Sequence, residues 1–350
     1  MRKLTKLTKL TMLVVPALLA VPAAGAGPAL AAGAARAAAP GRPAASRVPF
    51  AYVSDSNTDT VTLISTRTAR VVRVIKVGQN PEGIAFTPDG RTAWVADNGS
   101  GSVSVIGTIS GRVIRTIRGL PKGPDGVAIT PDGRRVWVTG AAANDVSVLS
   151  ARTGKLLATY ATGTGPMHVT LNRAGTAAWI TNYWDGTVSV LNTSSGRLIR
   201  TIRTGPGHGV TGPDDVTLSP DGTRAWVSNF DRHTVSVIST RTGAVLKTIQ
   251  VARFPGDVAL SPDGSQAWVP AGGNESRSIS VLSTRTGAVI RHIRVGRFPI
   301  WIAFMPGGSR AWVTNSVSQN VSEVQTSTGR VIAAPAAGAG DDFVAIGPGR

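Results

Sequence analysis

One turn recurs through the chain at a nearly constant period, and that repetition limits the folds open to it more than any other feature. A Pro-Asp-Gly-type turn followed by a short aromatic strand reads TPDGRTAWVAD at 87–97, TPDGRRVWVTG at 130–140, NRAGTAAWITN at 172–182, SPDGTRAWVSN at 219–229, SPDGSQAWVPA at 261–271 and MPGGSRAWVTN at 305–315. The anchoring glycines, Gly90, Gly133, Gly175, Gly222, Gly264, Gly308 and a seventh, Gly349, are spaced 43, 42, 47, 42, 44 and 41 residues apart. A period of this length marks a repeat architecture, in which each unit is one supersecondary tile that buries its apolar faces only against its neighbours.

Each tile reads as four strands. A short β-branched run precedes the turn, as in Val258-Ala259-Leu260, and the aromatic strand follows it. An alternating run comes third (Val103–Ile106, Val146–Leu149, Val188–Leu191, Val235–Ile238, Ile279–Leu282). A fourth strand follows a Thr-Gly or Ser-Gly turn, as in GRVIRTIR at 111–118. Period-2 alternation bounded by Gly, Pro, Asp and Ser is the strand signature, and no helical stripe interrupts it. Four short strands every 42 residues or so predict an all-β, seven-bladed β-propeller with four antiparallel strands per blade. The ends fix the closure. Residues 51–75 supply strands two to four with no first strand before them, and DFVAIG at 342–347 is a first strand with nothing after it. Three N-terminal strands and one C-terminal strand therefore complete one blade and leave no open sheet edge between them.

The aromatic strands YVSD (52–55), WVAD (94–97), WITN (179–182), WVSN (226–229) and WVTN (312–315), with the VSVI and TRTG segments after them, resemble the YVTN-family propeller repeat proteins. The resemblance runs from residue 50 to the end of the chain. Tryptophan replaces the usual tyrosine in six of seven tiles, which we read as a packing choice. Lactonase-like propellers and surface-associated repeat proteins look similar. The resemblance thus implies the architecture and leaves activity open between a binding module and a lactonase-like hydrolase or lyase.

Residues 1–31 read as a secretory signal peptide. Arg2, Lys3, Lys6 and Lys9 precede the apolar stretch MLVVPALLAVPAA, and Ala29-Leu30-Ala31 offers a cleavage site. Residues 32–47, mostly Ala, Pro, Gly and Arg, read as a disordered lead-in to a propeller over 48–350. These features predict a secreted or wall-associated monomer with no membrane span. With no cysteine, the chain has no disulfides, thiol nucleophile or zinc–thiolate site. The charge is strongly positive, 37 Lys and Arg against 19 Asp and Glu, and stays at +14 after removal of residues 1–31. A chain so basic is drawn to anionic partners such as wall polymers or nucleic acid.

Propeller geometry puts the PDG and TRTG turns on one face as scaffolding. The loops between second and third strands and the blade-to-blade connections lie on the other. Those connections end where the innermost strands begin, at the mouth of the central channel. Read in order they present Glu82, Asp125, His168, Asp214, Asp215, Asp257, Trp301 and Asp342. Two readings compete for this acidic rim. In one, each Asp accepts backbone N–H bonds at its own connection. In the other, the carboxylates form a funnel that binds a cationic or polyhydroxylated small molecule or holds Ca²⁺ or Mg²⁺, with Asp214, Asp257 and Glu82 as candidate ligands. Clustered carboxylates raise one another's pKa values and can supply a general base, for which His168 is an alternative.

On the same face, Tyr183 and Trp184 form an aromatic loop suited to stacking on a sugar ring, glycan or base. The long connection TGPGHGVTGPDD at 204–215 carries His208. Its GHGVTG matches G-x-G-x-x-G, but no helix follows to present N–H groups to a pyrophosphate, so a dinucleotide site is rejected. Arginines such as Arg73, Arg115, Arg200 and Arg291 fall on the fourth strands. There they either guard exposed sheet edges against aggregation or form a belt for polyanions.

Overall fold

The structure, a computed structural model, describes residues 49–120, 122–204, 212–338 and 340–347, with the side chains of 341 and 342 outside the description. The leader and lead-in expected over 1–47 therefore lie outside the described residues. Seven four-stranded antiparallel sheets are arranged as blades. Blade 1 joins the C-terminal strand Asp341–Gly347 to Phe50–Asp55, Thr60–Ser65 and Arg70–Lys76, in the closure read from the ends of the chain. Blades 2 to 7 follow in chain order. Their innermost strands are Pro81–Phe86, Pro124–Ile129, Pro166–Leu171, Pro213–Leu218, Ala259–Leu260 and Pro299–Phe304. Each innermost strand touches the next around the axis, and Asp341–Gly347 meets both Pro299–Phe304 and Pro81–Phe86 to close the ring. One 3₁₀ turn, Phe230–Arg232, is the sole helix among the described residues.

The repeated aromatic tetrapeptide owes its letters to three separate jobs. Its first residue fills the wedge between neighbouring blades: Trp94, Trp137, Trp179, Trp226, Trp268 and Trp312 are all buried, as is Tyr52 in blade 1. Trp226 packs with Val235 and Val237 of its own blade and with Val258, Ala267 and Val269 of blade 6. Burying an aromatic of this size contributes on the order of 5 kcal/mol before the entropy of ordering it is subtracted. The apolar contacts that define one blade thus belong to its neighbour as well, which is why a single tile would not fold alone.

The third letter, a hydroxyl except at Ala96 and Pro270, ties blade to blade at the axis. Thr139 accepts the Gly126 N–H at 2.7 Å and donates to the Met167 carbonyl of blade 4. Thr181 accepts from His168 N–H (2.9 Å) and donates to Asp214 O of blade 5 (2.8 Å). Ser228 does the same between Asp215 and Gly256 O. The fourth letter, Asn or Asp except at Gly140 and Ala271, reaches sideways to the third strand: Asn182 donates to Thr187 and Ser189, and Asn229 to Thr234 and Ser236. These bonds satisfy buried backbone and side-chain groups that the strand ladders leave over.

The fourth-strand cations are seam pins as well as edge charges. Arg73 reaches Ser110 O and Gly111 O of the next blade, Arg115 reaches Arg152 O, and Arg200 reaches Arg241 O. Lys247 bonds Thr286 O, and Arg291 bonds Ser327 O and Thr326 O. Each donates to a carbonyl in the neighbour's outermost hairpin.

Candidate functional site

The innermost strands begin irregularly, and that irregularity builds the site. In the strand pairs of blades 2, 3, 4, 5 and 7 the register jumps between the opening proline and the residue three places on, as from Pro124 to Val127 and from Pro213 to Val216. Proline has no N–H for the ladder, and the two residues after it bulge out of pairing. Glu82, Asp125 and Asp214 are the first of these bulged residues, and His168, Asp215 and Trp301 the second. Asp257 holds the corresponding second place in blade 6. A bulge re-aims side chains, here toward the axis.

The structure brings these residues together but does not leave them on an open rim. Glu82, Asp125, His168, Asp214, Asp215, Asp257 and Trp301 are all at most 2% exposed. The axis is narrow because aromatics fill it. His168 and Trp301, three blades apart, stack with ring centres 6.4 Å apart, and Trp301 stacks on Phe343 at 4.7 Å. Trp301 belongs to the apolar core with Met305 and Phe343, and is not a ring free to stack on a ligand at an open mouth. Asp342 is the second residue of the closing strand, and its side chain lies outside the description.

The carboxylates also make different bonds from those expected of turn residues. Asp215 Oδ2 accepts the Val258 N–H (3.2 Å) and Asp257 Oδ2 accepts the Ile302 N–H (2.8 Å), in each case from the following blade. Asp125 Oδ2 takes Asn98 Nδ2 (3.3 Å), and Glu82 Oε1 takes Asn80 Nδ2 (2.8 Å). Asp125, Asp215 and Asp257 thus each use one carboxyl oxygen in these bonds. His168 Nδ1 sits 2.8 Å from Asp215 Oδ1, at ion-pair distance but out of line for a good hydrogen bond.

What remains is a set of buried polar atoms with no hydrogen-bond partner in the described chain: Asp125 Oδ1, Asp214 Oδ1, Asp257 Oδ1, His168 Nε2 and Trp301 Nε1. Such atoms cost a folded protein about 1–3 kcal/mol each when nothing satisfies them. Burial pushes the carboxyls of Asp125, Asp214 and Asp257 well above the usual range, and the neighbouring charges of Asp125 and Asp215 add to the effect on Asp214. Burial drives His168 the other way, toward the neutral imidazole, against the pull of Asp215. Among the described residues no three His, Asp or Glu side chains gather in a group that could hold a metal ion.

Tyr183 and Trp184 lie away from this cluster. The Tyr183 ring is buried and its hydroxyl donates to Asp231 Oδ2 (3.0 Å), while Trp184 is 61% exposed. His208 falls outside the described residues. Sequence reasoning missed Asp97, where a carboxylate stands in the place of Asn182 and Asn229. It is fully buried, accepts from Ser102 and Ser104, and has its pKa raised by burial to about 6. The signal was visible, since WVAD breaks the Asn pattern of three other tiles.

Comparisons with known proteins agree with this architecture. A family model described as lactonase, 7-bladed beta-propeller matches residues 122–294, and one described as SMP-30/gluconolactonase/LRE-like region matches residues 35–183. No curated protein matches the sequence significantly. Among solved structures, a functionally unknown protein from Desulfotomaculum acetoxidans DSM 771 superposes with a TM-score of 0.74 at 18% identity, covering 86% of this chain and 99% of that one. Kuenenia stuttgartiensis hydrazine synthase superposes with a TM-score of 0.70 at 20% identity, covering 79% and 92%. At such identities these two structures speak for the fold alone. Among the described residues no helix is long and apolar enough to cross a membrane. The chain is a seven-bladed β-propeller, similar over residues 122–294 to the lactonase family model.

Proposed function

We propose that this propeller binds a small polyhydroxylated molecule at its axis, between the bulged openings of the innermost strands. The observation that carries the reading is the group of unpartnered buried atoms, Asp125 Oδ1, Asp214 Oδ1, Asp257 Oδ1, His168 Nε2 and Trp301 Nε1, gathered at the openings of the innermost strands. Hydroxyl groups both donate and accept, so a polyol satisfies carboxyl oxygens and the indole N–H alike. A ligand that did so would recover the desolvation cost of these atoms. Because they are enclosed, entry requires the blade openings around Trp301 to part.

A second reading, lactone hydrolysis, is favoured by the two family models and by the His168–Asp215 pair. Asp215 beside Nδ1 favours the proton on that nitrogen and leaves Nε2 its lone pair, and the neutral imidazole that burial imposes is the form able to take a proton from water. Binding and turnover separate experimentally. D-gluconate raises the thermal midpoint of the wild type under the binding reading, and Asp214→Asn with Asp257→Asn removes the effect. No shift, or a shift indifferent to both changes, would sink it. If D-glucono-1,5-lactone is also opened faster than in buffer and His168→Gln abolishes that excess rate, hydrolysis is the better description.

A further inference from the structure

The seam between blades 3 and 4 departs from the other outer seams. The fourth-strand position occupied by Arg73, Arg115, Arg200, Lys247 and Arg291 faces Leu63, Val105, Val190, Val237 and Val281 across the ladder. In blade 3 the residue at that register, opposite Val148, is Ala158. The seam is held instead by Arg135, which reaches Thr193 O from the second strand (3.0 Å). Tyr160 joins it, its ring seated where a Cβ on the hairpin glycine Gly196 would overlap it. Blade 7 also carries an alanine at this register, Ala333 opposite Glu323, but there Arg310 joins Glu323 (2.5 Å) and Thr66 O (2.8 Å) across the seam.

A groove of about 740 Å³ lies between blades 3 and 4, lined in part by Tyr160, Trp184, Asp185, Thr187, Thr201 and Arg203. That is the size of pocket that encloses a small organic ligand. Trp184 in this lining is 61% exposed yet held in place. Trp184 packs where a Cβ on Gly165 would overlap the indole, and it meets the Tyr183 ring edge-on at 4.9 Å. Tyr183 in turn is anchored by its hydroxyl to Asp231. An indole kept in place yet open to water is a preorganised stacking surface, because ligand binding then orders little that was free. Asp185 is fixed by the Thr164 N–H (2.6 Å), and Arg203 forms no ion pair among the described residues.

We infer that this groove is a second ligand site, independent of the axis, and that it takes a neutral oligosaccharide. The indole offers a flat face to the C–H side of a pyranose, the threonine hydroxyls exchange hydrogen bonds with its hydroxyls, and Asp185 and Arg203 supply one strong acceptor and one strong fork of donors. Their opposite charges make the groove nearly neutral overall, which disfavours a polyanion there despite the basic chain.

The test follows tryptophan emission while cellotetraose or chitotetraose is titrated into the intact protein. At least one of the two is expected to change the emission saturably. Trp184→Ala should weaken binding at least tenfold. Ala158→Arg, which restores the cation of the other seams on the strand face of Tyr160, at the edge of the groove, should also weaken binding while leaving the thermal midpoint at or above the wild type. The inference is overturned if neither saccharide binds, if binding survives both changes, or if an extended Ser/Thr-rich peptide saturates the groove in their place. The D-gluconate response at the axis is a separate readout, so failure at one site is distinguishable from failure at the other.

Discussion

The innermost and outermost strands of this propeller come from the same repeat, yet they treat polar groups in opposite ways. On the outside, Arg73, Arg115, Arg200, Lys247 and Arg291 stay in contact with water and direct their donors to the neighbouring blade's carbonyls. At the axis, Asp125 and Asp257 are buried, bonded through one oxygen and left unpartnered on the other, and Asp214 is buried with its Oδ1 unpartnered. A solvated cation costs little to keep and adds little, whereas an enclosed carboxyl with a free oxygen destabilises the fold continuously. Fold maintenance explains the outer pattern in full and the inner pattern only by half. The unexplained half is the reason to place ligand binding at the axis.

That contrast can be broken most forcefully at the aromatic plug. Trp301→Ala should destabilise by about 3–5 kcal/mol, the range for emptying a large buried aromatic site. An exposed outer residue such as Val72, 49% exposed, should change stability by under about 0.5 kcal/mol on the same substitution. Denaturant unfolding measures both, and equal effects would mean that the axis is not the core described.

The next test concerns buried charge. The Asp97 pKa is raised in the folded state from 3.8 to about 6, so its contribution to stability is fully present below pH 3.8 and is lost as pH rises through 6. Asp97→Asn should therefore stabilise by about 3 kcal/mol at pH 8 and by little at pH 3.5, since a tenfold change in proton affinity corresponds to about 1.4 kcal/mol. Asn182 shows the replacement is accommodated: its Oδ1 accepts the Gly163 N–H (3.0 Å) while Nδ2 serves Thr187 and Ser189. The raised pKa values of Asp125, Asp214 and Asp257 have the same sign, so the wild type should also lose stability as pH rises above the ordinary carboxylate range.

Smaller effects separate the two kinds of seam. Thr181→Val removes an inner tie and leaves the His168 N–H and the Asp214 carbonyl without their partner, which should cost about 1–2 kcal/mol. Arg115→Ala removes an outer pin and should cost under about 1 kcal/mol. Denaturant midpoints of the two variants measure the difference.

The blade count and the closure were legible because they depend on period and alternation, which are local properties. DFVAIG near one end and AYVSD near the other are halves of one blade by pattern alone. The position of Glu82, Asp125 and Asp214 next to the axis was legible for the same reason, as the residue after each blade's opening proline. Their enclosure was not. It depends on His168, Trp301 and Phe343 meeting across the axis from three different blades, and no sequence spacing encodes that meeting. The outer groove was equally hidden, because its lining comes from two blades, Tyr160 from one and Trp184, Thr201 and Arg203 from the next. The exposed aromatic at Trp184 could be read from the chain, but the seam that gives it a partner surface could not.

A crystal of the protein soaked in D-gluconate tests the central claim most directly. We expect electron density for the polyol at the axis, with its hydroxyls within hydrogen-bond distance of Asp214 Oδ1 and Asp257 Oδ1. Density at the axis explained by ordered water alone, with those oxygens satisfied by it, would contradict the account.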